Sequence, residues 1–267
     1  MKRLFISLAI LAGISLSSCN DSFLEKTPVT DLTENNAFNS YDNFKAFMWP
    51  CYEMFTNNTI RTSLQGFGQD GQYKGDMAAG YFQQKYESGY NEFAYQTVAS
   101  VASGNGWDFK SFIRRVNIML SHIDNSSMTE AQKDHWRAVG YFFHSFWYME
   151  LIDRFGDVPW VDQVLQEDSP EAYGPRVDRK TVADKVLERL QWAEQNIGNF
   201  TSQDGDNTIN QDCVRAVISR FGLREGTWRK YHELGDAEKY LQECVRASEL
   251  LMACLLYTSP SPRDRTR

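Results

Sequence analysis

Basic residues, histidine, cysteine and long apolar runs are all scarce in this 267-residue chain. Lysine and arginine number 28 against 35 aspartates and glutamates, for a formal net charge of −7. That balance argues against nucleic acid or an anionic membrane surface as the main partner. Of the four histidines, His232 is followed by Glu233 but lacks the second histidine of a zinc-protease helix. His135 and His144 fall within an aromatic helix, where a hydrogen-bonded core histidine is the default reading. The five cysteines form no CxxC pair; Cys51, Cys213 and Cys244 are scattered and make no disulfide framework. Cys213 and Cys244 each lie on the apolar side of a helical pattern and are expected to be small buried hydrophobes. No Gly-rich phosphate loop and no Gly-x-Ser-x-Gly elbow occurs. Carboxylates are numerous enough that some must pair in space, but no local pattern singles out an acid–base couple. The expectation is a protein that is not an enzyme, with no metal and no cofactor.

The one strongly apolar run, Leu4 to Leu16, follows Lys2 and Arg3 and ends in Leu16-Ser17-Ser18-Cys19. It is shorter than the ~20 residues a bilayer requires. Small residues just before a cysteine let a peptidase reach the backbone, and the thiol can carry diacylglycerol. Residues 1–18 therefore read as a lipoprotein signal peptide, with Cys19 lipidated as the mature N-terminus. At the other end, residues 254–267, CLLYTSPSPRDRTR, interrupt an amphipathic pattern with tandem Ser-Pro and alternating arginine. Translation of a common transposon-type sequencing adaptor reproduces Cys254 to Asp264, so this stretch is expected to be foreign to the gene. Setting aside Lys2, Arg3 and the basic tail leaves a still more acidic segment.

Between these ends the pattern is helical. From Ala131 to Leu151, Trp136, Val139, Phe143, Phe146, Trp147 and Leu151 recur at spacings of three and four, while Phe142 and Met149 lie on other faces. Such a helix is buried on more than one side, as inside a stack of helices. Gly156 supplies a chain reversal and Pro159 prevents a restart. Helices are also expected over Asn36–Thr56, kinked at Pro50, and over Trp107–Asp124. Thr129 should cap Thr129–Phe155, and further helices should cover Thr181–Ile197, Gln211–Glu225 and Asp236–Ala253. The fold class is all-α. Successive pairs of this length suggest a tetratricopeptide-like stack, although no clean 34-residue repeat appears.

Ile60 to Trp107 is the exception. It holds eight of the 17 glycines, five tyrosines and no sustained helical stripe. A long stretch without regular structure is usually functional, and its aromatic content argues against disorder. Sugar rings present C–H faces that stack on tyrosine and tryptophan, while hydroxyls are read by acidic and amide side chains. Tyr73 and Trp107 are the candidate stacking residues, with Asp76 and Asn105 as hydrogen-bonding partners. The competing expectation is that these rings pack against the helices.

Taken together, several segments resemble the SusD/RagB family of outer-membrane nutrient-binding lipoproteins. WDFKSFIRRVNIMLSHID occupies Trp107 to Asp124, Arg137-Ala138 opens the aromatic helix, and Phe155-Gly156-Asp157-Val158-Pro159 closes it. Arg176 and Arg179 precede VADKVLERLQWAEQNI, and Asp21-Ser22-Phe23-Leu24-Glu25 to Thr27-Pro28 matches the family's mature start. The resemblance covers about residues 19–253 and implies a helical scaffold binding oligosaccharide, or peptide in the RagB branch. It also implies an outer-membrane location and a TonB-dependent SusC-like transporter as partner. A lipid-anchored glycoside hydrolase with a similar scaffold is the remaining alternative. The family's chains are about twice this length, so residues 19–253 would be the N-terminal part of the domain and the helical stack would be incomplete. In that case Tyr240, Leu241, Val245, Leu250 and Leu251 should form an exposed apolar face.

Overall fold

The computed structural model describes residues 38–55, 107–109, 111–205 and 207–258. The leader, Cys19, Tyr73, Asp76 and Asn105 lie outside the described residues. Within them the chain is a stack of helices with no strand; Val158 and Val177 form a single antiparallel bridge.

Helix α1, Tyr41–Met48, is capped by Ser40, whose side chain accepts the Asn43 N–H. It gives way to a 3-10 turn over Trp49–Phe55, as expected from Pro50, which has no N–H to continue the α ladder. Helix α2, Phe112–His122, starts later than the pattern predicted. The Asp108 carboxylate accepts both the Ser111 N–H at 3.1 Å and the Ser111 hydroxyl at 2.6 Å, holding the preceding residues in a turn.

Helix α3, Glu130–Phe155, opens on a capping box between Thr129 and Gln132 and ends at Gly156, whose φ of 69° suits glycine. Its buried residues include Trp136, Phe142, Phe143, Tyr148, Met149 and Ile152, so it is covered on several faces as the sequence implied. Helix α4 is Arg179–Asn196, α5 the single turn Thr201–Asp204, α6 Gln211–Tyr231 and α7 Ala237–Thr258. Helix α3 packs against α2 and α4, and α6 against α4 and α7.

Helix α6 passes through Gly226 and runs beyond its expected end at Glu225. Glycine lowers helix propensity, but here packing decides. A Cβ on Gly222 would lie 2.6 Å from the Tyr240 carbonyl oxygen and 3.0 Å from the Cys244 nitrogen, so α6 and α7 approach backbone to backbone. Gly222→Ala should push them apart and cost about 1–3 kcal/mol. Urea unfolding would register this as a lower midpoint at unchanged slope; an unchanged midpoint would show that the helices part freely.

Buried charge ties the later helices together. Glu225 and Arg229 are each 1 % exposed. Arg229 Nε donates to Glu225 Oε1 at 2.8 Å, and its Nη2 donates to the Tyr240 hydroxyl at 2.9 Å and the Lys180 carbonyl at 3.2 Å. Arg179 reaches Glu225 at 2.7 Å, and Tyr240 donates to Asp184 at 2.6 Å. A second clamp centres on buried Glu194, which accepts from Arg215 at 2.9 Å and Arg246 at 2.6 Å. Burial opposes the charged form of Glu194, but these two guanidiniums outweigh it and hold its carboxyl below the usual range.

The segment after α3 is extended, and side chains catch its alternate carbonyls. Tyr148 donates to Pro159 O at 2.9 Å, Asn117 to Val161 O and Gln163 O at 3.1 and 3.0 Å, and Arg114 to Leu165 O at 2.8 Å. His144 Nε2 is a further donor to Val161 O at 2.9 Å.

The α7 surface differs from the expected exposed face. Tyr240 is fully buried against Phe221 and Leu241 packs on Gly226. Val245, Leu250 and Met252 are exposed. Tyr240 is drawn inward because its hydroxyl completes the Arg229–Asp184 network. Cys51 is buried, and burial pushes its thiol up to about 12. Cys213 and Cys244 are only half-buried, Cys244 lying beside the Ser219 hydroxyl. Among the described residues, no helix is long and apolar enough to cross a membrane.

Candidate functional site

The FGDVP segment and the two arginines that follow it meet at the C-terminal end of α3. The Gly156 turn sends the chain away from the helix, and the bridge Val158–Val177, with N···O distances of 3.2 and 2.9 Å, brings Arg176 back alongside Asp157. The Asp157 carboxylate accepts the Arg179 backbone N–H at 2.9 Å, which fixes the start of α4.

Trp107 is placed at this corner from the other side. The Trp147 indole N–H donates to the Asp108 carbonyl at 2.8 Å, pinning the backbone next to Trp107 onto α3. The Trp107 ring meets Phe155 edge-on at 4.9 Å and Phe109 at 5.2 Å. The Arg176 guanidinium lies over it, 4.8 Å from the ring centroid. Trp107 is half-buried and Arg176 exposed. A cation over an indole is held by the ring quadrupole, and an exposed guanidinium offers N–H donors to hydroxyl, carbonyl or carboxylate oxygens. The corner can thus combine ring stacking with hydrogen-bond donation.

Trp107 is the only predicted ligand residue among those described; Tyr73, Asp76 and Asn105 lie outside the described residues. Phe109, Phe155 and Arg176 were missed as its partners. Arg176 did carry a signal, as one of two arginines preceding α4, but nothing local linked it to a ring 69 residues away.

Both histidines of α3 are core residues. His144 is fully buried, and burial pushes its pKa well down. His135 is 3 % exposed, faces the Gly198 carbonyl at 3.1 Å, and has its pKa lowered by the same cause. Among the described residues, no group of histidine, cysteine, aspartate and glutamate could hold a metal ion.

An all-α stack of helix pairs with an aromatic and cationic corner is a scaffold of the tetratricopeptide-like kind. The chain belongs to the SusD-like family: the family model described as starch-binding and associating with the outer membrane matches residues 22–223. The fold is similar to that of a SusD homolog from Bacteroides thetaiotaomicron, with 16% identity and a TM-score of 0.61 over 84% of this chain and 42% of that one. A SusD-like protein from Bacteroides fragilis shares 17% identity with a TM-score of 0.59, over 85% of this chain and 40% of its own. A SusD-like carbohydrate-binding protein from Bacteroides vulgatus shares 16% identity with a TM-score of 0.56, over 81% and 45%. The chain therefore spans less than half the length of these solved proteins. No curated protein sequence matches it.

Proposed function

We propose that the protein binds an oligosaccharide at the outer-membrane surface and passes it to a TonB-dependent SusC-like transporter, without chemical change to the ligand. The observation that carries this reading is the match over residues 22–223 to a starch-binding, outer-membrane-associating family, on a chain whose leader ends in a lipoprotein box. The anchor is the lipid on Cys19. Trp107 and Tyr73 stack on sugar rings, and Asp76 and Asn105 hydrogen-bond hydroxyls. Arg176 supplies further donors beside Trp107.

The test is calorimetric titration of the protein with oligosaccharides and, in parallel, with short peptides. Trp107→Ala should weaken oligosaccharide binding about two- to tenfold, the equivalent of the ~0.5–1.5 kcal/mol that a stacking ring contributes beyond its buried area. Binding of peptides alone would replace the sugar with a RagB-type ligand, and turnover of the sugar would make the protein a hydrolase. If Trp107→Ala binds sugar as the parent does, the site lies away from this corner.

The anchor has its own test. Each buried CH₂ contributes ~0.8 kcal/mol, so a multiply acylated cysteine holds firmly to a bilayer. Cys19→Ala should move the protein from the membrane fraction to the soluble one. Retention of the variant with the outer membrane at high salt would remove lipid anchoring from the proposal.

A further inference from the structure

Most arginines in the described helices are tied to carboxylates. Arg179 meets Glu225 at 2.7 Å and Asp153 at 3.8 Å, Arg224 meets Asp153 at 2.5 Å, and Arg215 and Arg246 share Glu194 at 2.9 and 2.6 Å. Acidic partners are in excess, with 35 aspartates and glutamates against 28 lysines and arginines. Arg176 nevertheless forms no ion pair among the described residues. Its contacts there are the Trp107 ring, whose centroid lies 4.8 Å from the guanidinium carbon, and the Asp157 carbonyl oxygen at 3.5 Å.

The carboxylates nearest in the chain are engaged by backbone. Asp157 accepts the Arg179 N–H at 2.9 Å, Asp178 caps α4 by accepting the Lys180 N–H at 3.0 Å, and Asp108 holds Ser111 at 3.1 and 2.6 Å. Each secures a turn or a helix start. The guanidinium is meanwhile kept in place by the indole, so docking a ligand on it costs less side-chain freedom than docking on a free arginine.

An exposed guanidinium with no carboxylate of its own presents a planar fork of N–H donors that suits the two oxygens of a carboxylate. A neutral hydroxyl leaves the charge uncompensated, and an ammonium is repelled. The net charge of −7 opposes densely charged polyanions. Screening over about 8 Å at physiological salt leaves an isolated carboxylate governed by the groups it touches. We propose that the Trp107–Arg176 corner selects acidic saccharides, a uronate residue placing its carboxylate on Arg176 beside the indole. This rests on the oligosaccharide-binding reading above and narrows it to sugars that carry a carboxylate.

The probes are oligomers of galacturonate, glucuronate and mannuronate, each paired with its methyl ester, which keeps the sugar skeleton and removes the charge. Calorimetric titration of the full chain should find at least one acid bound about 10- to 100-fold more tightly than its ester, the range for hydrogen bonds to a charged group. Arg176→Gln should erase that preference. Arg176→Lys should keep part of it, because an ammonium retains the charge without the planar fork. The ratio of acid to ester affinity does not depend on how much of a variant is folded, so a merely structural arginine would leave it unmoved. A preference that survives Arg176→Gln would put the selecting cation elsewhere and overturn the assignment. Esters or neutral maltose oligomers bound at least as tightly as every acid would remove the acidic specificity and leave the binding function standing. Binding of short peptides alone, tighter as free acids than as C-terminal amides, would give Arg176 to a peptide carboxylate and overturn the saccharide assignment. Failure of every saccharide, acidic or neutral, to bind would remove both readings.

Discussion

Phe143→Ala is expected to destabilise the protein by roughly 3–5 kcal/mol. Phe143 is fully buried on α3, where its ring meets Tyr52 at 5.2 Å, Phe142 at 5.4 Å and Phe55 at 6.1 Å. Two of those partners belong to the Trp49–Phe55 turn, so truncation opens a void between that turn and α3 as well as losing the transfer free energy of the ring. The turn is short and pinned by Pro50, and it cannot collapse easily into the space. Urea unfolding should show a midpoint shift of this size, against a change within about 0.5 kcal/mol for Tyr231→Ala on the surface. A loss below about 1 kcal/mol would mean that the turn is not packed on α3 in solution.

The second large effect concerns charge. Arg229→Ala removes a guanidinium that bonds Glu225, Tyr240 and the Lys180 carbonyl in a nearly water-free site. Breaking a buried pair by removing one partner costs about 3–5 kcal/mol, because the remaining charge is stranded. Glu225 keeps Arg179 at 2.7 Å and Tyr240 keeps Asp184 at 2.6 Å, which places the loss near the lower end, about 3 kcal/mol. The double variant Arg229→Met, Glu225→Leu should be less destabilised than Arg229→Ala, since it removes both charges and fills the volume. Chemical denaturation of both variants checks this. A double variant worse than the single one would show that the pair contributes net stability rather than only compensating its own burial.

The helices were legible because burial imposes a period. Trp136 through Leu151 announce α3 by spacing alone, and Thr129 and Gly156 mark its ends through backbone chemistry that acts within a few residues. The all-α class and the family followed from such local signals. The end of α6 was not legible, because Gly226 reads as a break until the close passage of α7 supplies a reason for it. The start of α2 was hidden for a similar cause: Trp107 fits the helical stripe, but Asp108 captures Ser111 first.

The polar networks were beyond sequence reasoning altogether. Arg229 and Asp184 are 45 residues apart, and Arg246 and Glu194 are 52 apart; nothing in one segment names its partner in another. The same holds at the candidate site, where Trp107 could be singled out as an aromatic candidate but Arg176 could not be assigned to it.

The extended segment from Pro159 to Leu165 also restricts how this gene can change in length. Every second carbonyl, those of Pro159, Val161, Gln163 and Leu165, is met by a donor fixed on α2 or α3. Inserting or deleting one residue would turn the succeeding carbonyls through half a pleat, leaving those donors opposite the wrong side of the chain. Two residues added or lost would restore the alternation. Viable insertions and deletions within this stretch should therefore come in even steps.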